Sequence, residues 1–284
     1  MALIAAACGS PERMRMEDPV DYVNPLMGTA STYELSTGNT YPAIALPWGM
    51  NFWAPQTGAN GDGWTYTYSS TKIRGLKQTH QPSPWINDYG SFSIMPVTTG
   101  PVYDEDGRQS WFSHKAETVK PYYYQVYLAE HDVVAELAPT ERAAAFRLTY
   151  PEKEMSYLVV DAYNGGQAEV LKDRNMIVGY STANHGGVTE NFQNWFVVVS
   201  DTPFETQTVD GHIAMVGFKT AKGQKVNLKV ASSFISQTQA ELNLNELGDR
   251  TFDEIAEAGR ARWNEVLGRI AVEDDNLDNL RTFY

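Results

Sequence analysis

The chain has 284 residues, 42% of them hydrophobic and 20% charged, with a formal net charge of −13. That composition holds enough apolar material for a full core, and the acidity argues against nucleic-acid and anionic-membrane partners while leaving neutral sugars open. A single cysteine, Cys8, excludes a disulfide framework and a cysteine-based metal site.

The first element is apolar and small: Met1 to Ala7 reads MALIAAA and runs into Cys8-Gly9-Ser10. This pattern fits the last part of a bacterial lipoprotein signal, with Cys8 as the lipidation site; an ordinary secretory signal or an expression remnant is the alternative. A lipid there implies an exported protein, periplasmic or on the outer membrane, that meets a membrane only through its anchor. Residues 11–18 are charged and contain proline, as a tether does. From Asn24 to Gly90 the sequence is dense in Gly, Pro, Asn, Thr and Trp and has little periodicity. Loop-rich stretches of that length tend to be functional.

From about Ser91 to Phe234 short alternating runs follow one another. Tyr122, Tyr124, Val126 and Leu128 alternate with Tyr123, Gln125 and Tyr127. Val133, Ala135 and Leu137 alternate with more polar neighbours, and Val226 to Val230 repeats the pattern. Period two with one wet face signals antiparallel sheet. Tyr157–Val160 and Trp195–Val199 are apolar on both sides and predict central strands, while Asp106-Gly107, Gly165-Gly166, Asp210-Gly211 and Lys222-Gly223 predict turns. The fold class is therefore mainly β: a large antiparallel two-sheet β-sandwich with a loop-rich N-terminal segment. After Phe234 the period changes. Thr251-Phe252-Asp253-Glu254 fits a capping box, a helix follows to a stop at Gly268, and Asp275 or Asn276 looks like the next N-cap. That second helix carries an apolar stripe to Tyr284, which predicts that the chain continues into further structure. The expected division is 1–18 signal remnant and tether, 19–240 sandwich, and 241–284 helical linker.

The seven Trp and sixteen Tyr often sit beside Gly, Asn and Asp. Such aromatic faces suit sugar rings, and they suit the filling of a wide sandwich core equally well. His114 and His131 lie in strand-like runs and are expected to be hydrogen-bonded sheet residues. The acidic cluster Glu273-Asp274-Asp275 with Asp278 reads as a solvated helix start rather than a cation site. No Gly-x-Ser-x-Gly elbow and no Walker motif occur.

Several ordered motifs remain: Val23-Asn24-Pro25-Leu26-Met27-Gly28-Thr29, Gly38-Asn39-Thr40-Tyr41-Pro42, Leu46-Pro47-Trp48-Gly49-Met50, Lys72-Ile73-Arg74-Gly75, Thr79-His80-Gln81-Pro82-Ser83-Pro84-Trp85, Asp88-Tyr89-Gly90, Phe112-Ser113-His114, Ala261-Arg262-Trp263-Asn264 and Arg281-Thr282-Phe283-Tyr284. In this order they resemble the N-terminal half of glycoside hydrolase family 92, the calcium-dependent exo-α-mannosidases. The resemblance implies a β-sandwich, a helical linker and then an (α/α)6 barrel that removes terminal α-mannose with inversion. It also implies that both catalytic carboxylates and most Ca2+ ligands come from that barrel, so no catalytic residue is assigned here. It implies a substrate-shaping role for the sandwich toward mannose-containing oligosaccharides. Trp64 is expected against the terminal mannose and Trp53 against the leaving sugar, with His80, Gln81, Trp85 and Asp88 near the same mouth. Trp53 together with the HQPSPW run is most similar to members that cut α-1,2 linkages. From the residues alone, Trp48 and Trp85 read first as structural loop residues, and Asp62 and Asp88 equally as turn residues. A free-standing carbohydrate-binding surface lipoprotein without catalysis is the alternative.

Overall fold

The computed structural model describes residues 14–15, 17–30, 40–83, 85–185 and 187–284. Cys8, and with it the lipidation reading, lies outside the described residues, as do Gly38, Asn39 and Pro84. Among the described residues no helix is long and apolar enough to cross a membrane.

Two antiparallel sheets face each other. The strands in chain order are β1 (Phe52–Gln56), β2 (Gly75–Thr79), β3 (Phe92–Val97), β4 (Glu117–Lys120), β5 (Tyr123–Leu128), β6 (Val133–Pro139) and β7 (Ala143–Tyr150). They continue as β8 (Lys153–Asp161), β9 (Gln167–Leu171), β10 (Met176–Ser181), β11 (Asn194–Ser200), β12 (Thr206–Asp210), β13 (Ile213–Thr220) and β14 (Gln224–Ser233). Six of them form a sheet in the order β12-β13-β8-β3-β2-β1. The other eight form a sheet in the order β9-β10-β11-β14-β7-β6-β5-β4.

Alternation places the core. Along β5 the buried side chains are Tyr124, Val126 and Leu128, as the period-two pattern predicts. Phe92, Leu158 and Val216 from the six-stranded sheet meet Phe146, Phe196 and Leu228 from the eight-stranded sheet. Aromatic contacts knit the layer: Phe92 stacks on Phe196 at 4.5 Å between centroids. The two strands inside the segment read as loop-rich, β1 and β2, run short and contain Pro55 and Gly75. Pro55 is tolerated because β1 is the edge strand of its sheet.

The outer face of the eight-stranded sheet carries a second apolar layer. Ala143, Ala145, Val197 and Ala231 are small enough for α1 (Gln237–Asn243) and α2 (Phe252–Leu267) to pack closely through Ala240, Phe252 and Ile255. The predicted capping box is present: Thr251 Oγ1 accepts from the Glu254 amide at 3.3 Å, and the Thr251 amide donates to Glu254 Oε2 at 2.8 Å. Gly268 ends the helix as expected. Beyond it, Glu273–Asp274 forms a short strand that pairs with Met14–Arg15. Asn276 is the N-cap of α3 (Leu277–Phe283), and Asp274 accepts from the Asn276 amide at 2.7 Å.

The tryptophan of the Ala261–Asn264 motif points its Nε1–H at the Ala45 carbonyl at 2.8 Å, fixing α2 against the loop that precedes β1. Asn264 receives the Val20 amide at 3.1 Å and donates to Asp18 at 2.6 Å. Arg260 adds ion pairs to Asp18 and Asp21. His114 and His131 are both hydrogen-bonded, but neither lies in a strand. His114 opens a 3-10 turn and His131 sits in the turn before β6. His114 stacks on Tyr68 at 4.0 Å, with its ring nitrogens on Glu117 and the Tyr68 carbonyl, so it clamps a loop rather than a sheet.

Candidate functional site

At one end of the sandwich the loops around residues 40–42, 58–66 and 80–90 converge. Asn87 Nδ2 donates to the Gly61 carbonyl at 2.8 Å and joins two of them. A shallow depression there is lined by Thr40, Tyr41, Gly63, Trp64, Tyr66 and Pro82. Phe52, on the outward face of β1, lies 6.4 Å from Tyr41 between ring centroids.

The loop that carries Trp64 is held from below by buried charge. Lys77 on β2 is 3% exposed, and its Nζ donates to Asn60 Oδ1 at 3.1 Å. Burial lowers its pKa, against the pull of Asp88, Glu105 and Asp161. Glu105 accepts from the Asn60 amide at 2.9 Å and from Gln56 Nε2 at 2.5 Å. Arg74, of the KIRG motif, donates through Nε to the Thr57 carbonyl at 3.1 Å and pairs with Asp106. Gly58 is required by space, since a Cβ there would stand 2.5 Å from the Trp64 carbonyl. The tight turn ends with the Trp64 amide on Asp62 Oδ1 at 3.3 Å, so Asp62 closes its own turn.

The HQPSPW loop folds around Asp88. This carboxylate is 3% exposed and accepts from the His80 amide at 3.2 Å and the Gln81 amide at 2.8 Å. Asp88 therefore shapes the loop rather than facing a ligand. The His80 ring is buried, with Nδ1 2.7 Å from the Tyr89 carbonyl and Nε2 3.0 Å from Asn51 Oδ1. Burial depresses its pKa, favouring the neutral ring despite Asp88 nearby. The ring stacks on Tyr89 at 5.3 Å and meets Phe234 edge-on at 4.8 Å. Gly90 lies against β11, with Asn194 Nδ2 on its carbonyl at 2.7 Å. Tyr41 has its pKa pushed up to about 12, first by burial and then by the Asp88 charge, so its hydroxyl stays neutral.

The structure brings Trp64, His80, Gln81 and Asp88 to this end, with Trp85 71% exposed at the loop tip. Gln81 is exposed and Trp64 half-buried. Trp53 does not join them. It is strand residue two of β1, pairs with Gln78 and points inward, 0% exposed, edge-on to Phe92 at 5.7 Å and Phe146 at 5.0 Å. A ring with no accessible face cannot stack on a leaving sugar, which corrects the expectation for Trp53. The side chain of its neighbour Phe52 faces outward instead. Trp85 and Trp48, read as structural by their prolines, are both 71% exposed. Trp48 sits at φ 61 with Arg262 and Arg269 5.7 and 5.9 Å from its ring centroid.

Chemically, this end offers aromatic faces and polar groups, with Asp88 turned onto the His80 and Gln81 amides and Asp62 accepting from the Trp64 amide. Among the described residues no three His, Cys, Asp or Glu side chains come together to hold a cation. These residues therefore do not fit the implied Ca2+, and no step is routed through it. The anchoring residues Asn60, Lys77, Asn87 and Glu105 escaped the sequence reading; the Asn-Gly pair at 60–61 was their one local signal.

The sequence matches the description "Glycosyl hydrolase family 92 N-terminal domain" over residues 22–244 and "Glycosyl hydrolase family 92 catalytic domain" over residues 239–284. The fold is similar to that of a family 92 inverting mannosidase from Bacteroides thetaiotaomicron, at 44% identity and a TM-score of 0.87 over 94% of this chain and 38% of that one. A family 92 α-mannosidase of the same organism matches at 25% identity and a TM-score of 0.78, over 94% of this chain and 40% of its own. That α-mannosidase has also been solved in complex with mannoimidazole. The chain thus spans well under half the length of these relatives. No curated protein matches the chain.

Proposed function

Since the chain belongs to glycosyl hydrolase family 92, we propose that it forms the sandwich wall of a mannose-binding mouth in an exo-acting, inverting α-mannosidase. The observation that carries this is Trp64, half-buried in the depression beside Tyr41 and Pro82 and braced by Asn60, Lys77 and Glu105. A rigid aromatic face among neutral hydroxyl and amide groups suits the C–H face of a pyranose.

Inversion needs one carboxylic acid to protonate the leaving oxygen and one carboxylate to activate water on the opposite face. The residues of this mouth bind, orient and exclude water. The acid–base pair, and the Ca2+ with its ligands, belong in this reading to the (α/α)6 catalytic domain, with which residues 239–284 align. Exposed Gln81 and Trp85 are placed to meet the leaving sugar, and an α-1,2 linkage is the expected preference. Cys8 as a lipid anchor would put the enzyme at the surface of an exporting bacterium, where mannose-containing oligosaccharides arrive from outside.

The test compares the chain alone with the chain joined in frame to a family 92 catalytic domain, each given α-1,2-mannobiose. NMR of the released sugar should show β-mannose first from the joined protein and no release from the chain alone. Trp64→Ala in the joined protein should lower kcat/KM by about 100-fold, the scale of a lost stacking and positioning contact. Turnover by the isolated chain, or an unchanged Trp64→Ala, overturns the proposal.

A further inference from the structure

A second surface on the sandwich carries the same chemistry without a part in the mouth. On the outer face of the eight-stranded sheet, the cover provided by α1 and α2 stops short of the β9 edge. Register sets three side chains in a row there: Gln167 on β9 pairs with Tyr180 on β10, which pairs with Trp195 on β11. Neighbouring strands are about 4.8 Å apart, so the row spans roughly 10 Å, comparable to two sugar rings in sequence. It lines a groove of about 680 Å³ that is also bordered by Glu169, Val209 and Gln237. That volume lies within the range of ligand pockets.

Gly166 borders the groove without a side chain, and a Cβ there would stand 2.7 Å from the Tyr180 carbonyl. Tyr180 and Trp195 are left half-exposed, which is unusual for adjacent large aromatics on a sheet face that is elsewhere capped. Among the described residues the Tyr180 hydroxyl, the Trp195 indole N–H, the Gln167 amide and the Glu169 carboxylate make no hydrogen bond or ion pair. Aromatic faces flanked by unengaged donors and acceptors match a saccharide, whose rings present C–H faces and whose edges present hydroxyls. A protein partner would call for a more continuous apolar core, and here Gln167, Glu169 and Gln237 interrupt it. The Glu169 carboxylate and the net charge of −13 select against anionic glycans.

We infer that the Gln167–Tyr180–Trp195 row is a second saccharide-binding platform, one that holds a neutral hexose oligosaccharide beside the mouth rather than in it. The test is an NMR titration of the chain, labelled at its indole nitrogens, with α-linked mannotetraose. The expected result is a saturable shift of the Trp195 indole signal in the millimolar range. Trp195→Ala should weaken binding at this site at least tenfold, and Tyr180→Ala severalfold, the latter guarding against a misfolded Trp195 variant. Trp64→Ala should leave the Trp195 shift intact while removing any response at the mouth, which separates this inference from the proposed function. An unmoved Trp195 signal up to tens of millimolar overturns the inference, as does a Tyr180→Ala chain that binds as tightly as the parent. Loss of the Trp195 shift in Trp64→Ala would also overturn it, because the groove would then be no site of its own.

Discussion

Asn87 reaches across the mouth to Gly61: its side-chain amide donates to the glycine carbonyl at 2.8 Å while its own backbone holds φ 61. Asparagine is one of the few residues with a side chain that adopts this left-handed conformation readily. Asn87→Gly keeps the backbone and removes only the tie. It should loosen residues 58–64 by about 1 kcal/mol, the scale of one net hydrogen bond. Amide exchange there should quicken about fivefold, with global unfolding nearly unchanged. Equal protection in both proteins would show that the loops are held without it.

The two tryptophans once expected to share a site should part company. Trp53→Ala empties a fully buried position between Phe92 and Phe146 and should cost about 3–5 kcal/mol in urea unfolding. Trp64→Ala should stay within about 1 kcal/mol of the parent yet lose the mannoside response at the mouth. A stability loss of similar size in both would place Trp64 in the core as well.

Gly90 sits at φ 59, and a Cβ there would lie 2.7 Å from Asn194 Cβ and 3.1 Å from the Phe234 ring. Gly90→Ala meets both backbone strain and collision with two elements that anchor the mouth. We expect a loss of roughly 2–3 kcal/mol, read as a lower urea midpoint at unchanged slope.

His212 Nδ1 lies 2.9 Å from Asp161 Oδ1, and Arg108 donates to Asp161 Oδ2 at 2.7 Å from the other side. The hydrogen bond to Asp161 raises the His212 pKa, against burial. Burial would raise the Asp161 pKa, but its bonds to His212 and Arg108 outweigh that and lower it. The His212 contribution is complete below its ordinary value of 6.5 and fades as pH rises through the elevated folded value. The Asp161 contribution is present above its ordinary 3.8 and fades as pH falls through the depressed one. Together they stabilise most between about pH 4 and 6.5. The melting temperature of the parent should exceed that of His212→Ala by more at pH 5.5 than at pH 8.5. A constant gap across that range would mean the pair does not titrate as described.

Much of the sandwich was legible because its strands obey a single rule. Where side chains alternate between core and solvent, as in Tyr123–Leu128, the sequence carries the period and the sheet follows. The helix at Phe252 was equally legible through its capping box. β1 and β2 were not, because both of their faces are covered, one by the core and the other by loops, so Phe52–Gln56 and Gly75–Thr79 show no wet side. That hidden strand also fixes the facing of Trp53, which no local pattern in the sequence marks. Of the mouth, the loop glycines and aromatics could be read. The long-range anchors could not: Lys77 to Asn60 and Glu105 to Gln56 are contacts of three dimensions with no local pattern.

The Val20 amide meets its partner Asn264 across 244 positions of sequence. During synthesis the segment 17–22 therefore leaves the ribosome long before the helix that receives it has been made. It must wait for that partner while both sheets assemble, although Lys120 meets Asp21 earlier. Closure of so large a loop comes late, since its entropy is recovered only once the rest has formed. The Asp18, Asp21 and Arg260 pairs then act as a final latch, and a nascent chain stalled before Arg260 would carry a formed sandwich with residues 17–22 not yet docked on the helix.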